Sequence, residues 1–398
     1  MAVEWLENWG HFRDYADLEP RYKLVGDGAV LGSNIEIMPA GGPTVMPSGS
    51  QSPRSPAPGA LRFKGGLGGG NDAQVTAMVT GSAEWKVGFN LMVESINPNQ
   101  TTFDHAIFYL YNLASNEPQL RLEIEFSSQE AIDNGYSYLR LATAVTTEIY
   151  SSFDDFDEDD PEDPTFHALL HGVYYYIELH HVIHDTVGVV ELRVNGETWF
   201  INANLDTKAT ATTTDELVFN SGAFSYGEGA VCRVTDFWAV DPLSGGNETD
   251  FLYPAVIDTL YPSAEVIGEI DFTPESGSDN ALMVDDAPQH DWDTTYNEAN
   301  VAANKDRFDI TGQVPESSFG RVHAVQVQAL AKDTLDTGTR TARAVIFEGA
   351  TEGVGATLTM TEAQYQSLYG LYEDNPDTSA AWLMADVEAA EIGYEIVA

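Results

Sequence analysis

Apolar and polar positions alternate with a period of two along much of the chain, most clearly in "YYYIELHHVIH" at 174–184. One parity carries Tyr175, Ile177, Leu179, His181 and Ile183; the other carries Tyr174, Tyr176, Glu178, His180, Val182 and His184. β-Branched and aromatic residues dominate, which predicts a strand over the whole run. Residues 189–194 alternate as well, with Val190, Leu192 and Val194 on one face and Glu191 and Arg193 on the other. Asn195–Gly196 then offers two residues that tolerate positive φ, the strongest short hairpin signal, and "ETWFINA" leads out of it. A three-stranded antiparallel meander is expected here.

Similar short segments recur: "RLEIEF" (121–126), "YLRLATAV" (138–145), "ELVFNSG" (216–222), "AVQVQALAK" (324–332) and "ARAVIFEG" (342–349), each bounded by Gly, Asn, Asp or Ser. Helical periodicity is scarce. A short helix is expected in "DTSAAWLMADVEAAE" (377–391), capped by Thr378 or Ser379 and ending near Gly393. Many strands with few helices indicate an all-β sandwich, and the lack of strand–helix alternation disfavours a parallel α/β fold. The segment "VTDFWAVDPLSGGNETDFLYP" (234–254) reads as a closing strand followed by a Gly/Asn-rich turn. Two β-sandwich domains are therefore expected, at 1–242 and 263–398, with 243–262 as linker.

Two aperiodic stretches read as loops: "AGGPTVMPSGSQSPRSPAPGA" (40–60) and "GGLGGGN" (65–71). The second does not satisfy G-x-G-x-x-G and lacks the lysine of a phosphate-binding loop.

Composition alters this picture through charge. Sixty-three acidic residues oppose 18 basic ones, six of them lysine, for a formal net charge of −45. No basic stripe exists to neutralise phosphates or an anionic bilayer, which argues against nucleic-acid and membrane-surface partners. An acidic, lysine-poor surface suits a salty medium, where screening removes its self-repulsion, and a marine or halophilic source is expected. Cys232 is the single cysteine, so neither an intramolecular disulfide nor a cysteine metal cage is available. No apolar run approaches the length of a membrane span. The opening "MAVEWLENWGHFRDYADLEP" has neither a basic nor an apolar leader region, so no signal peptide is expected.

Candidate chemistry is thin. His180 and His184 would share a helix face as zinc-binding pairs do, but on a strand they stand about 13 Å apart, too far for one ion. "FDDFDEDDPEDPTF" (153–166) holds eight acidic residues in fourteen. Read as a calcium loop from Asp155, it places Asp157, Asp159 and Asp163 usefully. Asp160 then stands where glycine is needed and Phe166 where glutamate is needed. A solvated acidic loop is expected, and neither a metal nor a cofactor is assigned.

"GALRFKGG", "YYYIELHHVIHDTVGVVELRVNG" and "VTDFWAVD" resemble the strands of the concanavalin A-like (laminin-G-like) lectin sandwich found in tailed-phage virion proteins. "DFTPESGSDNALMVDDAPQHDWDTTYNEANVAANKDRFDI", "VHAVQVQALAKDTLDTGTRTARAVIF" and "YEDNPDTSAAW" resemble the C-terminal β-sandwich that accompanies it. The resemblance covers most of the chain and rests on turns and strands. It implies a non-enzymatic virion structural protein of a tailed bacterial or archaeal virus. Such a protein is assembled in the host cytoplasm and carried on head, neck or tail. Other virion proteins would be its partners, with a homo-oligomer, trimer or higher, and a cell-surface glycan as a further contact. The acidic insert at 153–166 and the histidine triplet depart from that pattern, and no catalytic residue carries over.

Two other functions compete. A sandwich glucanase requires carboxylates spaced E-x-D-x-E or E-x-D-x-x-E. The nearest match is "EIDFTPE", with Glu269, Asp271 and Glu275, where Pro274 occupies the place the last glutamate should hold. "RLEIEF" puts Glu123 and Glu125 on one face without the central aspartate. A soluble carbohydrate-binding module would display aromatics, for which Trp85, Trp199, Trp238 and Trp292 are the candidates, though core packing is the expected fate of most.

Overall fold

The computed structural model describes residues 3–7, 23–25, 35–38, 60–64, 74–95, 103–126, 135–146, 149–152, 167–220, 231–253, 255, 257–285, 293–311, 321–334, 340–360 and 365–398. Of the loop expected at 40–60 only Ala60 is described, and it opens a strand; the rest of it, the loop at 65–71, the acidic loop at 153–166 and Trp292 lie outside the described residues. The chain divides into two compact units. The first comprises Glu4–Gly245 with Thr249–Ile257; the second comprises Asp258–Ala398 with Met1–Val3 and Gly246–Glu248.

The strands are β1 (Val3–Glu7), β2 (Lys23–Val25), β3 (Ile35–Met38), β4 (Ala60–Lys64), β5 (Gln74–Ser82), β6 (Glu84–Ser95), β7 (Phe103–Asn112) and β8 (Glu117–Phe126). They continue with β9 (Tyr136–Thr143), β10 (Tyr150–Ser151), β11 (Leu169–Leu170), β12 (Tyr174–Val182), β13 (Gly188–Val194), β14 (Glu197–Leu205), β15 (Thr214–Asn220) and β16 (Val231–Val240). They build two eight-stranded sheets. Sheet A runs β14-β13-β12-β6-β16-β4-β3 with β1 on β16; sheet B runs β10-β9-β8-β7-β15-β5-β2 with β11 on β9.

Alternation fixes which side of each sheet is buried. Ile177 and Leu179 of β12, Val190, Leu192 and Val194 of β13, and Leu120, Leu122 and Ile124 of β8 all enter one core between the sheets. At its centre Phe219 lies 4.9 Å from Phe237, 5.0 Å from Phe108 and 5.4 Å from Phe89, ring centre to ring centre. Each such aromatic pair adds about 0.5–1.5 kcal/mol beyond burial. The meander forms as expected, with Asn195 and Gly196 at φ 53° and 81° in its second turn.

One boundary of the meander differs from the expectation. Strand β12 stops at Val182, so His184 stands in the following turn and not on the face of His180. There the His184 Nδ1 accepts the N–H groups of Thr186 and Val187, each at 3.1 Å. Local backbone satisfaction takes the place of strand pairing at that position.

The second unit continues with β17 (Ala264–Ile270), β18 (Thr273–Pro274), β19 (Asn297–Glu298), β20 (Lys305–Asp309), β21 (Val325–Ala331), β22 (Thr341–Glu348), β23 (Thr351–Val354), β24 (Leu358–Thr359), β25 (Gln366–Tyr372) and β26 (Glu391–Ile396). A six-stranded sheet, β17-β20-β26-β22-β23 with β24 on β22, is faced by the two-stranded ribbon β21-β25. Val327, Ala344, Ile346, Leu368 and Trp382 fill the space between them. This is a smaller, asymmetric β-sandwich.

The expected helix is displaced and shortened to α1, Met384–Ala389, with Leu383 at its N-cap position. Thr378 and Ser379 do not cap it. The Asn375 side chain accepts the N–H of Asp377 (2.8 Å) and of Thr378 (3.3 Å), which folds 375–379 into a turn of its own, with Ser379 at φ 53°. The C-terminal limit moves because Glu391–Ile396 is pulled into the sheet between β20 and β22.

Basic residues are spent inside this scaffold. Of the thirteen Lys and Arg side chains described, twelve form ion pairs with carboxylates, among them Arg62 and Arg233 on Glu94 and Arg343 and Lys305 on Glu395. The thirteenth, Arg340, donates to the Ala299 carbonyl oxygen.

Candidate functional site

The outward face of sheet B carries a row of charged residues beside tyrosines. Because Leu120, Leu122 and Ile124 point into the core, Arg121, Glu123 and Glu125 point outward from β8. Register brings Arg140 of β9 opposite Glu123, Tyr138 opposite Glu125, and Tyr109 of β7 opposite Arg121. Glu123 is thus bracketed by two guanidiniums, with Arg121 Nη1 at 3.4 Å and Arg140 Nε at 3.5 Å. The glutamate side chain is 7% exposed and Arg121 30% exposed. At those distances the pairs are electrostatic contacts and not short bidentate bonds. Among the described residues the buried Arg121 Nε has no hydrogen-bond partner. Asn220 of β15 donates to the Tyr109 hydroxyl at 3.0 Å, and Ser151 donates to Glu125 Oε2 at 2.7 Å. Tyr138 is buried, and the partly exposed Arg121 guanidinium beside the Tyr109 ring is a combination suited to hydroxyl and carboxyl oxygens on a ring-shaped ligand.

Sequence parity alone reveals the outward set on β8. What joins it to Arg140 and Tyr109 is inter-strand register, which no local pattern specifies.

The outward face of sheet A is covered by the chain itself. Residues 249–253, 255 and 257, expected as part of a linker, lie across β12, β6 and β16. The Tyr253 N–H donates to Glu178 Oε1 at 3.0 Å, the Ala255 N–H to the Tyr176 hydroxyl oxygen at 3.3 Å, and the Ile257 N–H to Asp236 Oδ1 at 3.0 Å. Lys86 pairs with Asp250 at 3.0 Å, and the Arg193 guanidinium lies 4.0 Å from the Phe251 ring centre. The strap leaves Glu178 fully buried. Burial pushes its carboxyl up to about 7; the Tyr253 and Leu252 N–H groups and the Arg193 charge oppose this, and the Asp250 charge reinforces it.

The histidine triplet is split. His180 points outward and contacts Glu84 Oε1 at 2.9 Å. His181 points into the core at 1% exposure, with no hydrogen-bond partner on either ring nitrogen among the described residues, and desolvation lowers it to about 3. His184 is in the turn. Among the described residues no three His, Cys, Asp or Glu side chains gather where a metal ion could sit. No helix among them is long and apolar enough to cross a membrane.

Of the candidate tryptophans, Trp85 and Trp238 are buried, as expected of core residues. Trp238 lies over Gly88, where a β-carbon would sit 2.4 Å from its ring, and its Nε1–H donates to the Tyr176 hydroxyl. Trp199 is half-buried and stacks on His167, 4.5 Å between ring centres and 7° from parallel. Glu269, Asp271 and Glu275 fall in the second unit and do not converge. Glu269 pairs with Arg307 at 3.4 Å, Asp271 accepts the Lys305 N–H at 3.1 Å, and the Glu275 N–H donates to the Tyr296 carbonyl at 2.9 Å.

No protein-family model matches this sequence, and no curated protein matches it. Solved structures do resemble it in fold. A galectin-like protein of unknown function from Bacillus subtilis shares 12% identity, covering 61% of this chain and 96% of that one at a TM-score of 0.32. A lectin from Bauhinia forficata in complex with GalNAc shares 8%, covering 60% and 97% at 0.32. A carbohydrate esterase of a Shiga toxin-encoding bacteriophage shares 7%, covering 60% and 100% at 0.34. Likenesses at this level assign no activity. The class is set by the chain's own architecture: an all-β protein built on a sandwich of two eight-stranded sheets.

Proposed function

We propose that the protein is a non-catalytic, glycan-recognising component of a virus particle, and that the outward face of sheet B is its glycan-contacting surface. The observation that carries the recognition is the Arg121–Glu123–Arg140 row beside Tyr109, in which Arg121 is the most exposed of the three charged side chains at 30%. Binding is favoured over hydrolysis because the two carboxylates of this row, Glu123 and Glu125, are both engaged. Glu123 lies between two guanidiniums, and Glu125 accepts from Ser151. A hydrolase needs one carboxyl held as an acid and the other left open to water or sugar.

The particle assignment rests on the resemblance of the strand and turn sequences to tailed-virus virion proteins, and an acidic surface is consistent with exposure to a saline exterior. Purified protein on a glycan array, alongside Arg121→Ala, tests the recognition. Binding by the parent and its loss in the variant, with the melting temperature retained, is the expected result. An array on which no glycan is retained, or on which both proteins bind alike, overturns it. Absence of the protein from purified virus particles of its source would overturn the particle assignment alone.

A further inference from the structure

Strand β14 ends sheet A. It pairs with β13 on one side, and no described residue pairs with the other. Six of its nine residues are exposed, and Ile201 is 59% exposed. An open edge strand is a template for another strand, and native edges are ordinarily guarded by lysine, proline or inward-pointing charge. "ETWFINANL" has no lysine and no proline, and its one ionisable residue, Glu197, is at the end. On a chain with a formal charge of −45, this is a charge-poor edge.

We propose that β14 is a self-association surface whose partner is β14 of a second copy, paired antiparallel about a two-fold axis at Ile201. Three observations select this occupant and register. A self-pairing edge is isologous, so one edge suffices to close the contact and yields a dimer, unlike the trimer expected from the sequence. Placing the axis at Ile201 buries that exposed side chain against its own counterpart. It also sets Glu197 opposite the far end of the neighbouring strand. The two Glu197 carboxylates then lie about 27 Å apart, several Debye lengths of about 8 Å at physiological salt. Parallel pairing would set them side by side. The ladder with β13 shifts register between Gly188 and Val189 and between Leu192 and Arg193, which leaves Phe200–Ala203 as the regular, uncharged centre. So short a ladder between two polyanions makes a weak dimer that strengthens with salt.

Cys232 is fully buried, so an introduced thiol reports alone. The test is sedimentation equilibrium of the whole chain from low to molar sodium chloride. It is joined by mild oxidation of Ile201→Cys and Glu197→Cys and by sedimentation of Ile201→Lys. The expected result is a salt-strengthened dimer, a disulfide-linked dimer from Ile201→Cys with little from Glu197→Cys, and at least a tenfold weaker association of Ile201→Lys. A monomer at every salt and protein concentration overturns the proposal. So does equal cross-linking at 197 and 201, or a dimer indifferent to lysine at 201. Should the lysine variant not fold, the cross-linking pair decides by itself.

Discussion

Replacing Glu178 by glutamine tests whether the strap over sheet A governs a buried carboxyl. An exposed glutamate ionises near 4.5, and in the folded protein burial pushes Glu178 up to about 7. A folded value above the unfolded one means that the folded state binds the proton more tightly. The stabilising contribution is therefore complete below 4.5 and is lost as pH rises through 7. A difference of about 2.5 units at about 1.36 kcal/mol each makes the ionised carboxylate cost about 3 kcal/mol at alkaline pH. Glutamine keeps an oxygen for the Tyr253 N–H and carries no charge at any pH. The variant should match the parent in acid and be more stable by about 3 kcal/mol above neutrality. The assay is urea unfolding followed by tryptophan fluorescence at a series of pH values, with the two proteins compared at each. His181 titrates identically in both, so it cancels from the difference. Parallel curves for parent and variant across the window would refute the reasoning, because the carboxyl would then be titrating as if in water.

Three further outcomes follow from the same physics. His181 is lowered to about 3 from 6.5, so the unfolded chain binds the proton more tightly and stability is lost as pH falls below 6.5. Relative to the parent, His181→Leu should gain about 1.4 kcal/mol per pH unit through that range, and a difference constant with pH would refute this. Gly88→Ala drives a methyl group to 2.4 Å from the Trp238 ring. It should cost about 1–3 kcal/mol in chemical unfolding, and a neutral result would mean the Trp238 contact is slack. Melting temperature should rise from low to molar sodium chloride with divalent ions chelated, because salt screens the repulsion among carboxylates. A flat or falling series would remove charge as a determinant of stability.

Much of the sandwich is legible in the sequence because a strand in a two-layer fold must alternate. The meander is the best case: the parity of Ile177, Leu179, Val190 and Leu192 identifies the core face, and Asn195–Gly196 marks the turn. Features that depend on long-range pairing are not legible. Residues 249–257 look like a linker because they have no periodicity. They are held by backbone N–H groups reaching Glu178, Tyr176 and Asp236, and any sequence can supply such donors. The helix near the C-terminus fails for a related reason. Thr378 and Ser379 are good caps by type, but Asn375 claims that stretch first, and Glu391–Ile396 completes a sheet whose other strands lie far off in sequence. At the candidate site the sequence shows Arg121, Glu123 and Glu125 on one face and leaves Arg140 unconnected until register joins them.

The commitment of nearly every described lysine and arginine to a carboxylate has a consequence outside the fold. Few fixed cations remain to offset the excess of acidic groups, so electroneutrality must come from mobile ions held close to the protein. Wherever copies are crowded, those ions are confined with them and exert an osmotic pressure that holds neighbours apart, more strongly in dilute buffer than in brine. The distance between adjacent molecules on a crowded surface is therefore a property of the surrounding water as much as of the protein, and it should contract as salinity rises.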